Sequence, residues 1–577
     1  MKAYHPRNLL ALCGMFALLC SAPLLAQEPL LDLMQSEMTR EFNVLNGQDP
    51  PAYFMSYRIN DTFTSRVRTS FGALVSSDEN RERRLTSEVR VGDYGLDNTR
   101  EIRGSNSFDF SFPNPVAIPL DESEDGIRLQ LWNNTSSAYR KAAKKFQAVK
   151  ANTAVKVEAE DQSSDFARDV TVEQHVDPPL YIDALKPDRT MWERRLRDIS
   201  RIFLESEHIF QGSASLSFTV DRKYIVTSEG TRIAENRTSA RVMLEATVKC
   251  DDGMELPLYR SYFAYTMDGL PDAEEMRAGA VKMVETLRAM REAPAIEPYT
   301  GPAMLSGRAA GVFFHEIFGH RVEGHRQKSE SEGQTFKKME GKSVLADHLS
   351  VVFDPTLREH HAMDLNGAYR FDEEGIRGKK VAVVEKGILR DFLMSRTPFE
   401  NHPTSNGHGR AAPGYTPVSR QSNLIVRTTQ PRGRDELRQR FLEECERQGK
   451  EFGLYFEDVQ GGFTMTGRFI PNAFNVTPTE VYRVYVDGRP DELVRGVDLV
   501  GTPLVMFSNI TDAGEETEVF TGTCGAESGG VPVSAISPTL LVSQIEVQKK
   551  SKSQERSPLL PRPDMDSSTK QPSKRTY

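Results

Sequence analysis

The chain contains the stretch Gly311-Val-Phe-Phe-His315-Glu316-Ile-Phe-Gly319-His320-Arg-Val-Glu-Gly-His325, which places histidines and a glutamate inside an apolar run. Neutral imidazoles are good zinc ligands, and a carboxylate beside one of them can act as general base on a zinc-bound water. The common zinc-peptidase motif has two residues between its glutamate and its second histidine. In this chain three residues separate Glu316 from His320, so the motif is related but distinct.

The wider spacing does not suit one metal ion on an undistorted helix. Histidines four positions apart differ in direction by about 40°, whereas histidines five positions apart differ by about 140°. Gly319 directly precedes His320, and glycine tolerates a bulge or a helix end. We therefore predict a π-bulge or a helix end at Phe318–Gly319 that turns His320 back toward His315. Glu316 would then act as general base and later as general acid.

A catalytic zinc site has three protein ligands and one open position, so a third ligand must come from elsewhere. His325 lies five residues after His320. His360 and His361 form a pair on a polar stretch, where histidines are usually exposed. Cys524 lies in Gly522-Thr-Cys-Gly525, which reads as a turn whose glycines allow close backbone approach. The residues alone leave these candidates open.

The first 26 residues have the features of a secretory signal peptide. Lys2 and Arg7 give a positive start, Leu9 to Leu19 form an apolar core too short to span a bilayer, and Ala26 offers a cleavage point. Cys20 follows a leucine where a lipoprotein signal would have a small residue, so a lipoprotein is the less favoured reading. We expect a periplasmic or secreted protein.

The mature chain is expected to be acidic and large enough to bury real cores. Removing Lys2 and Arg7 changes the net charge from −9 to −11, which argues against nucleic acid and against an anionic membrane surface. No later apolar run is long enough to cross a membrane. The cysteines that remain are Cys250, Cys445 and Cys524, and their odd number leaves at least one thiol unpaired.

Periodicity and turn residues divide the chain into a signal peptide (1–26), an N-terminal α/β domain (27–298), a C-terminal domain (299–548) and a disordered tail (549–577). Apolar stripes predict helices at 30–42, 135–152, 191–204 and 436–450, and one capped by Asp272. Alternating segments predict a strand at 85–91 and hairpins around Glu229-Gly230, Asp251-Asp-Gly253, Lys386-Gly387 and Asp487-Gly488. Residues 326–345 are polar and read as a long loop.

Several segments give the chain a resemblance to the TldD/PmbA family of zinc metallopeptidases, specifically to its metal-binding TldD branch. The resemblance is dense over about 301–547, clearest in the first half at 222–270, and loose over 28–210. The shared segments, besides the opening motif, are Ala310-Gly311, Glu323-Gly324, Phe371–Gly375, Val384–Leu389, Asn406–Arg410, Arg420–Asn423, Val494–Gly496, Gly522–Gly525 and Val531–Val533.

The resemblance implies His315, His320 and Cys524 as ligands of one Zn²⁺ per metal-binding subunit, and Glu316 as the catalytic carboxylate. It implies an α+β fold: an N-terminal α/β domain, and a C-terminal domain dominated by antiparallel sheet that carries the metal-site helix. Peptide substrates, and a homodimer or a heterodimer with a related subunit, are implied as well. From the acidic charge and the lack of a second long apolar run, we expect no nucleic-acid partner and no stable membrane insertion. His325 and the signal peptide depart from the family pattern.

Two other classes of function stay open at this point. The same site could serve a different metal-dependent amidohydrolase, or the ion could be structural in a non-catalytic scaffold or binding protein. A structural zinc site is normally closed by four ligands and needs no carboxylate base, so Glu316 favours a catalytic site over a structural one. The sequence fixes no oxyanion donor, and the loop His408–Arg410 is a candidate for it.

Overall fold

The computed structural model describes residues 28–102, 115–153, 161–168, 170–468, 474–501 and 503–550. The predicted signal peptide and residues 551–577 of the predicted tail therefore lie outside the described residues. The last strand ends at Lys549, the first residue that the sequence assigned to the tail. No helix in the described part of the chain is long and apolar enough to cross a membrane.

The first half is built on a sheet of long antiparallel strands. Its described strands are β1 (Ala52–Ser70), β2 (Ala73–Val91), β3 (Val116–Ala117), β4 (Gln174–Val176), β5 (Ile209–Thr227), β6 (Arg232–Lys249) and β7 (Glu255–Ala264). They lie in the order β3-β2-β1-β5-β6-β4, and β7 also pairs with β6. Only the short contact of β4 with β6 is parallel within this described sheet. The hairpins predicted around Glu229-Gly230 and Asp251-Asp-Gly253 are confirmed as β5–β6 and β6–β7.

Helices cover this sheet in two groups. They are α1 (Pro29–Leu45), α2 (Glu124–Thr153), α3 (Ile182–Leu185), α4 (Arg189–Arg201) and α5 (Ala273–Glu292). The apolar faces of α1 and α2 share one core, and those of α4 and α5 share another. Each predicted helix is present, and the Asp272 side chain accepts hydrogen bonds from the backbone N–H groups of Glu274 and Glu275 at 2.9 Å, as a helix cap should.

The second half is a larger, mixed sheet. The described strands are β8 (Tyr299–Leu305), β9 (Leu349–Phe353), β10 (Glu359–His360), β11 (Met363–Asp364), β12 (Val381–Glu385), β13 (Ile388–Leu389), β14 (Gly409–Arg410), β15 (Val418–Ser419), β16 (Asn423–Thr428), β17 (Pro431–Arg432), β18 (Phe452–Thr464), β19 (Phe474–Tyr485), β20 (Glu492–Val494), β21 (Val497–Gly501), β22 (Ile510–Ala526) and β23 (Gly529–Lys549). The main order is β13-β12-β9-β16-β23-β21-β19-β18-β8, and β22 pairs with β23. The pairs β10–β11 and β14–β15 are separate two-stranded sheets. The predicted hairpins at Lys386-Gly387 and Asp487-Gly488 are confirmed.

One helix of the second half, α6, is buried along its length except at the partly exposed Arg308. The described helices of this half are α6 (Gly307–Ile317), α7 (His325–Lys328), α8 (Arg434–Arg447) and α9 (Pro503–Ser508). The Ser306 hydroxyl caps α6 by accepting a hydrogen bond from the Ala309 N–H at 3.1 Å. Phe313, Phe314 and Ile317 are fully buried in the main core of this half, so α6 is held from all sides. The predicted loop at 326–345 has little regular structure.

The hairpin of β22 and β23 closes at Glu527-Ser528 and keeps one register from Thr517 to Ala526. Cys524 faces Val531 in this register, whereas the ladder is irregular between Ala513 and Thr517. The sequence predicts a turn at Cys524, but the residue lies inside β22, because the pairing with β23 continues past it to Ala526.

The two halves meet through buried polar contacts. Arg396 is 1% exposed, and its guanidinium donates to the Glu229 carboxylate at 2.6 and 2.8 Å and to the Ala167 carbonyl at 2.7 Å. Tyr259 on β7 donates to the Val459 carbonyl on β18 at 3.1 Å. The boundary predicted at 298 falls just before β8 and stays a prediction as a domain limit.

Candidate metal centre

The end of α6 turns His320 toward His315. The helix stops at Ile317, Phe318 leaves helical geometry with φ −122° and ψ −52°, and residues Gly319–Val322 form a 3₁₀ turn. The imidazole rings of His315 and His320 consequently lie with their centroids 5.0 Å apart. Of the two distortions that the spacing predicts, the structure has the helix end.

Gly319 is required here for space rather than for its backbone angle. It does not have a positive φ, so its conformation is open to other residues. A Cβ at this position would lie 2.6 Å from Nε2 of Gln421 and closer still to the rest of that amide. Gln421 is fully buried and donates to the His315 carbonyl at 3.2 Å. The glycine therefore lets a buried amide reach the helix end.

Cys524 joins the two histidines in one buried cluster. Its Sγ lies 3.1 Å from Nε2 of His315 and 3.3 Å from Nε2 of His320, and the three atoms all lie within 4.8 Å of one another. Tetrahedral zinc with bonds of about 2.0–2.3 Å separates its ligand atoms by roughly 3.3–3.6 Å. The cluster therefore has donor atoms and spacing that fit zinc. Among the described residues it is the group of three or more metal-ligating side chains that comes together in this way.

The charges of the cluster stabilise a thiolate. Burial opposes ionisation of Cys524, but His320 and His315 outweigh it and hold the pKa of the thiol well below its usual range. Burial likewise opposes charge on His320, while Cys524 and Glu323 together raise the pKa of its imidazole well above the ordinary value. Cysteine binds a divalent ion as the thiolate and histidine binds it as the neutral imidazole, so metal binding would release the proton from His320.

A buried carboxylate supports His320 from behind. The two oxygens of Glu323 lie 3.3 and 3.4 Å from Nδ1 of His320, and the residue is fully buried. Arg326 donates to the same carboxylate at 2.8 Å, and Arg420 lies 3.5 Å from it. Burial opposes the charge, but His320 and then Arg326 lower the pKa of Glu323 to about 2. Such a carboxylate fixes which ring nitrogen of a histidine faces the metal.

Arg420 supports the cysteine in a similar way. It is fully buried, and its Nη2 donates to the Cys524 carbonyl at 2.7 Å and to Sγ at 3.2 Å. The sequence pattern alone indicates no role for Arg420, Gln421 or Glu323. Each of the three nevertheless lies in a segment shared with the TldD/PmbA family. That shared position is the feature of the sequence that could have identified them.

Glu316 lies beside the cluster and lines the same cavity. Its side chain is 6% exposed, and burial raises its pKa, although the two histidines act against that effect. No ion pair within the described residues holds the carboxylate. A Cβ on Gly462 would come 2.8 Å from Cγ of Glu316, so the neighbouring strand β18 approaches it closely only because that residue is glycine.

The cluster opens into a cavity of about 540 Å³ between the two halves. His315, Glu316, His320 and Cys524 line it from the second half. The first half contributes residues of β6 and β7, namely Arg241, Met243, Tyr259 and Ser261. A cavity of this volume is in the range typical of small-ligand sites.

The other candidate ligands lie elsewhere. Nε2 of His325 faces the Glu527 carboxylate, which also binds Arg326 at 2.8 Å. The 3₁₀ turn and α7 carry His325 away from the cluster. His360 bonds with Thr517 at 2.8 Å, and the ring of His361 packs beside it.

The loop His408–Arg410 does not supply an oxyanion donor in this structure. His408 is fully buried and contacts Asn406 and Ser422 at 3.0 and 3.1 Å. Arg410 donates to the carbonyls of Gln421 and Pro532 at 2.6 and 2.7 Å. This loop supports the segment between β15 and β16 that carries Gln421.

The remaining described cysteines are free and buried. Cys250 lies in the core beneath α5, in agreement with its position at a strand end. Cys445 packs against Leu437 and Phe441 on α8, and burial raises its pKa to about 12. Neither thiol belongs to the metal cluster.

An α+β architecture with a histidine–histidine–cysteine cluster at a helix end defines a narrow class of candidate metalloproteins. Residues 298–549 match the model of the PmbA/TldA metallopeptidase C-terminal domain, and residues 167–290 match the model of the central domain of the same family. The chain belongs to the PmbA/TldD family.

Individual relatives agree with this assignment. A metalloprotease of Archaeoglobus fulgidus is 33% identical over 265 residues, which are 45% of this chain and 56% of the relative. A zinc metalloprotease TldD homolog of Saccharolobus solfataricus is 23% identical over 249 residues, which are 43% of this chain and 51% of the relative. The chain thus spans about half the length of these two curated relatives.

A solved structure shares the fold. TldE from Thermococcus kodakarensis superposes with a TM-score of 0.58 over 90% of this chain and all of the other, at 11% identity. This likeness concerns the fold alone, and it agrees with the predicted α+β class.

Proposed function

We propose that this protein is a zinc-dependent metallopeptidase that hydrolyses peptides or unfolded polypeptide. The observation that carries the proposal is the cluster of His315, His320 and Cys524 beside Glu316, facing a cavity. Three ligands leave a coordination position open, which distinguishes a catalytic site from a structural one closed by four. The names of the metalloprotease relatives support the same class of reaction.

His315, His320 and Cys524 would hold the ion, and Glu323 and Arg420 would fix the orientation of His320 and Cys524. Zinc, when bound, supplies a Lewis acid that polarises the peptide carbonyl and makes water more acidic. Glu316 takes a proton from the water as its oxygen bonds to the carbonyl carbon. It returns that proton to the amide nitrogen as the C–N bond breaks, which leaves a carboxylic acid and an amine.

The cavity determines which substrates reach these groups. Its walls come from both halves, and Tyr259 fixes β7 against β18 by its bond to the Val459 carbonyl. An extended peptide can enter such a space, whereas a folded protein cannot bring a backbone amide to Glu316. The proposal therefore concerns short or unfolded chains.

The test is metal analysis and peptide hydrolysis by the purified mature protein and its variants. Glu316→Gln should keep one zinc per chain and lose hydrolysis of a peptide library by about 10²–10⁴-fold, because it removes a general base. His315→Ala and Cys524→Ser should lose the zinc. Cys445→Ala, which removes a buried thiol that does not line the cavity, should change neither property.

The outcomes separate the alternatives. Zinc binding by His315→Ala and Cys524→Ser as tight as that of the wild type would refute the ligand set. A wild type that holds zinc and cleaves amides other than peptide bonds would be an amidohydrolase. One that holds zinc and cleaves nothing would favour a scaffold or binding protein.

Assembly and location are separate proposals. We propose a dimer, formed with a second copy or with a related subunit, and a mature chain that begins at Gln27 outside the cytoplasm. Sedimentation of the purified protein tests the first. The N-terminal mass and the compartment of the protein in its native cell test the second.

A further inference from the structure

One arginine in the cavity has no acidic partner. Arg241 on β6 lines the same space as the metal cluster. Its Nη1 donates to the Ser261 hydroxyl at 2.5 Å and to the Thr521 carbonyl at 3.3 Å. Its Nη2 is buried and has no hydrogen-bond partner. No carboxylate of the described residues forms an ion pair with this guanidinium, although arginine forks normally bind one.

The surroundings hold the guanidinium in place. Side chains alternate along a strand, so Arg241 and Met243 on β6 share a face with Tyr259, Ser261 and Phe263 on β7. The Phe263 ring lies under the guanidinium, with its centroid 5.0 Å from Cζ. The hydroxyl of Ser261 accepts from Nη1 and can still donate its own hydrogen to a ligand.

The electrostatic balance of this site is incomplete without an anion. Burial lowers the pKa of Arg241 to about 10, an effect that Tyr259 opposes, so the group is still cationic at neutral pH. The other arginine of the cavity, Arg326, is already bound to Glu323 and Glu527. Arg241 is partly exposed and has no carboxylate partner among the described residues, and a partly desolvated charge in a cavity is a candidate for ligand binding.

We infer that Arg241, with Ser261, binds a carboxylate of the peptide substrate. Arg241 contacts Thr521, which lies three residues before Cys524 on β22. At about 3.3 Å per residue the two positions are roughly 10 Å apart. An extended substrate has a similar rise, so its carboxylate lies two or three residues from the bond that is cleaved. It is either the C-terminal α-carboxylate or an aspartate or glutamate side chain.

This inference deepens the proposed peptidase function and rests on it, but binding alone can test it. The probes are three forms of one short apolar peptide carrying a fluorophore: a C-terminal acid, a C-terminal amide, and an amide with glutamate at the penultimate position. Binding is measured by fluorescence anisotropy on zinc-loaded Glu316→Gln, which separates recognition from hydrolysis. Values of kcat/KM for the wild type form the second arm.

We expect the peptide acid, the glutamate peptide, or both to bind about 10–100-fold more tightly than the plain amide. Arg241→Gln should remove that preference and leave the affinity for the plain amide unchanged, while Arg241→Lys should keep part of it. Arg260→Gln is the matched control, because Arg260 lies on the same strand as Ser261 but faces Gly279 of α5, and it should keep the preference.

The form that binds more tightly identifies the source of the carboxylate. Equal binding of all three forms, binding of none, or a preference that persists in Arg241→Gln would overturn the inference. If Arg241→Gln does not fold, the preference shown by the unsubstituted site and its reduction in Arg241→Lys decide instead. Selective binding without hydrolysis would refute the peptidase and retain the carboxylate site.

Discussion

Gly319→Ala tests whether the close approach at the helix end holds the metal centre together. The new Cβ would lie 2.6 Å from Nε2 of Gln421, whereas real Cβ contacts essentially never fall below 3.0 Å. Gln421 is fully buried, so its amide has no solvent to move into and must give up its bond to the His315 carbonyl. Overpacking costs about 1–3 kcal/mol, and the lost hydrogen bond about 1 kcal/mol. We expect a loss of roughly 2–4 kcal/mol of stability.

The assay is thermal unfolding of four proteins, each with excess zinc and each with chelator: the wild type, Gly319→Ala, Gln421→Ala and the double variant. Gln421→Ala removes the colliding amide. The double variant should therefore lose less stability than the two single variants lose together, by at least about 1 kcal/mol. Gly319→Ala should also retain less zinc, since the strained turn carries His320. Gly433→Ala, where nothing lies within 4 Å of the added carbon, is the matched glycine control.

Two results would refute this reasoning. One is a Gly319→Ala protein that melts with the wild type and keeps its zinc. The other is a double variant whose loss equals the sum of the two single losses, because then Gln421 would not be the group that the alanine meets.

Two further substitutions test the surroundings of the site. Glu323→Gln should weaken zinc binding by about 10–100-fold, since it removes the charge behind His320, and competition with a chromophoric chelator measures this; unchanged affinity would contradict the supporting role. His408→Gln should flatten the acid side of the stability profile. Burial lowers the pKa of His408 from 6.5 to about 3. Between those values the unfolded chain binds a proton that the folded chain does not. His408 therefore lowers the free energy of unfolding by about 2 kcal/mol as the pH falls from 7 to 5. Melting curves of the wild type and of His408→Gln between pH 7 and pH 5 test this. An identical loss of stability in the two proteins would show that His408 is not the group responsible.

Much of the fold, and two of the three members of the candidate cluster, can be predicted from local sequence pattern. The apolar run around His315 and the glycine before His320 predict a helix that ends between them, and α6 ends there. Hairpins with Gly at the turn, such as Lys386-Gly387, are predictable because positive φ is needed at their tips. These features depend on neighbours a few positions apart, which a single sequence displays directly.

The third member of the cluster depends on distant pairing. Cys524 is 209 residues from His315 and reaches it through the register of β22. Nothing local distinguishes it from His325, which is much nearer in sequence but is turned toward Glu527. Only the resemblance to a family selects the cysteine before the structure is known. In the same way Glu323, Arg420 and Gln421 have polar side chains that a sequence pattern assigns to the surface, although the fold buries them.

The constant register of β22 with β23 constrains how many residues this protein can gain or lose along β22 during evolution. Successive side chains of a strand point to opposite faces, so one residue inserted or deleted between Thr517 and Cys524 would turn the thiol away and present a neighbour instead. The irregular ladder before Thr517 and the hairpin tip at Glu527-Ser528 can absorb such changes, because neither fixes which way Cys524 points. Relatives that keep this cysteine as a ligand should therefore vary in length at those two places and keep a constant residue count between them.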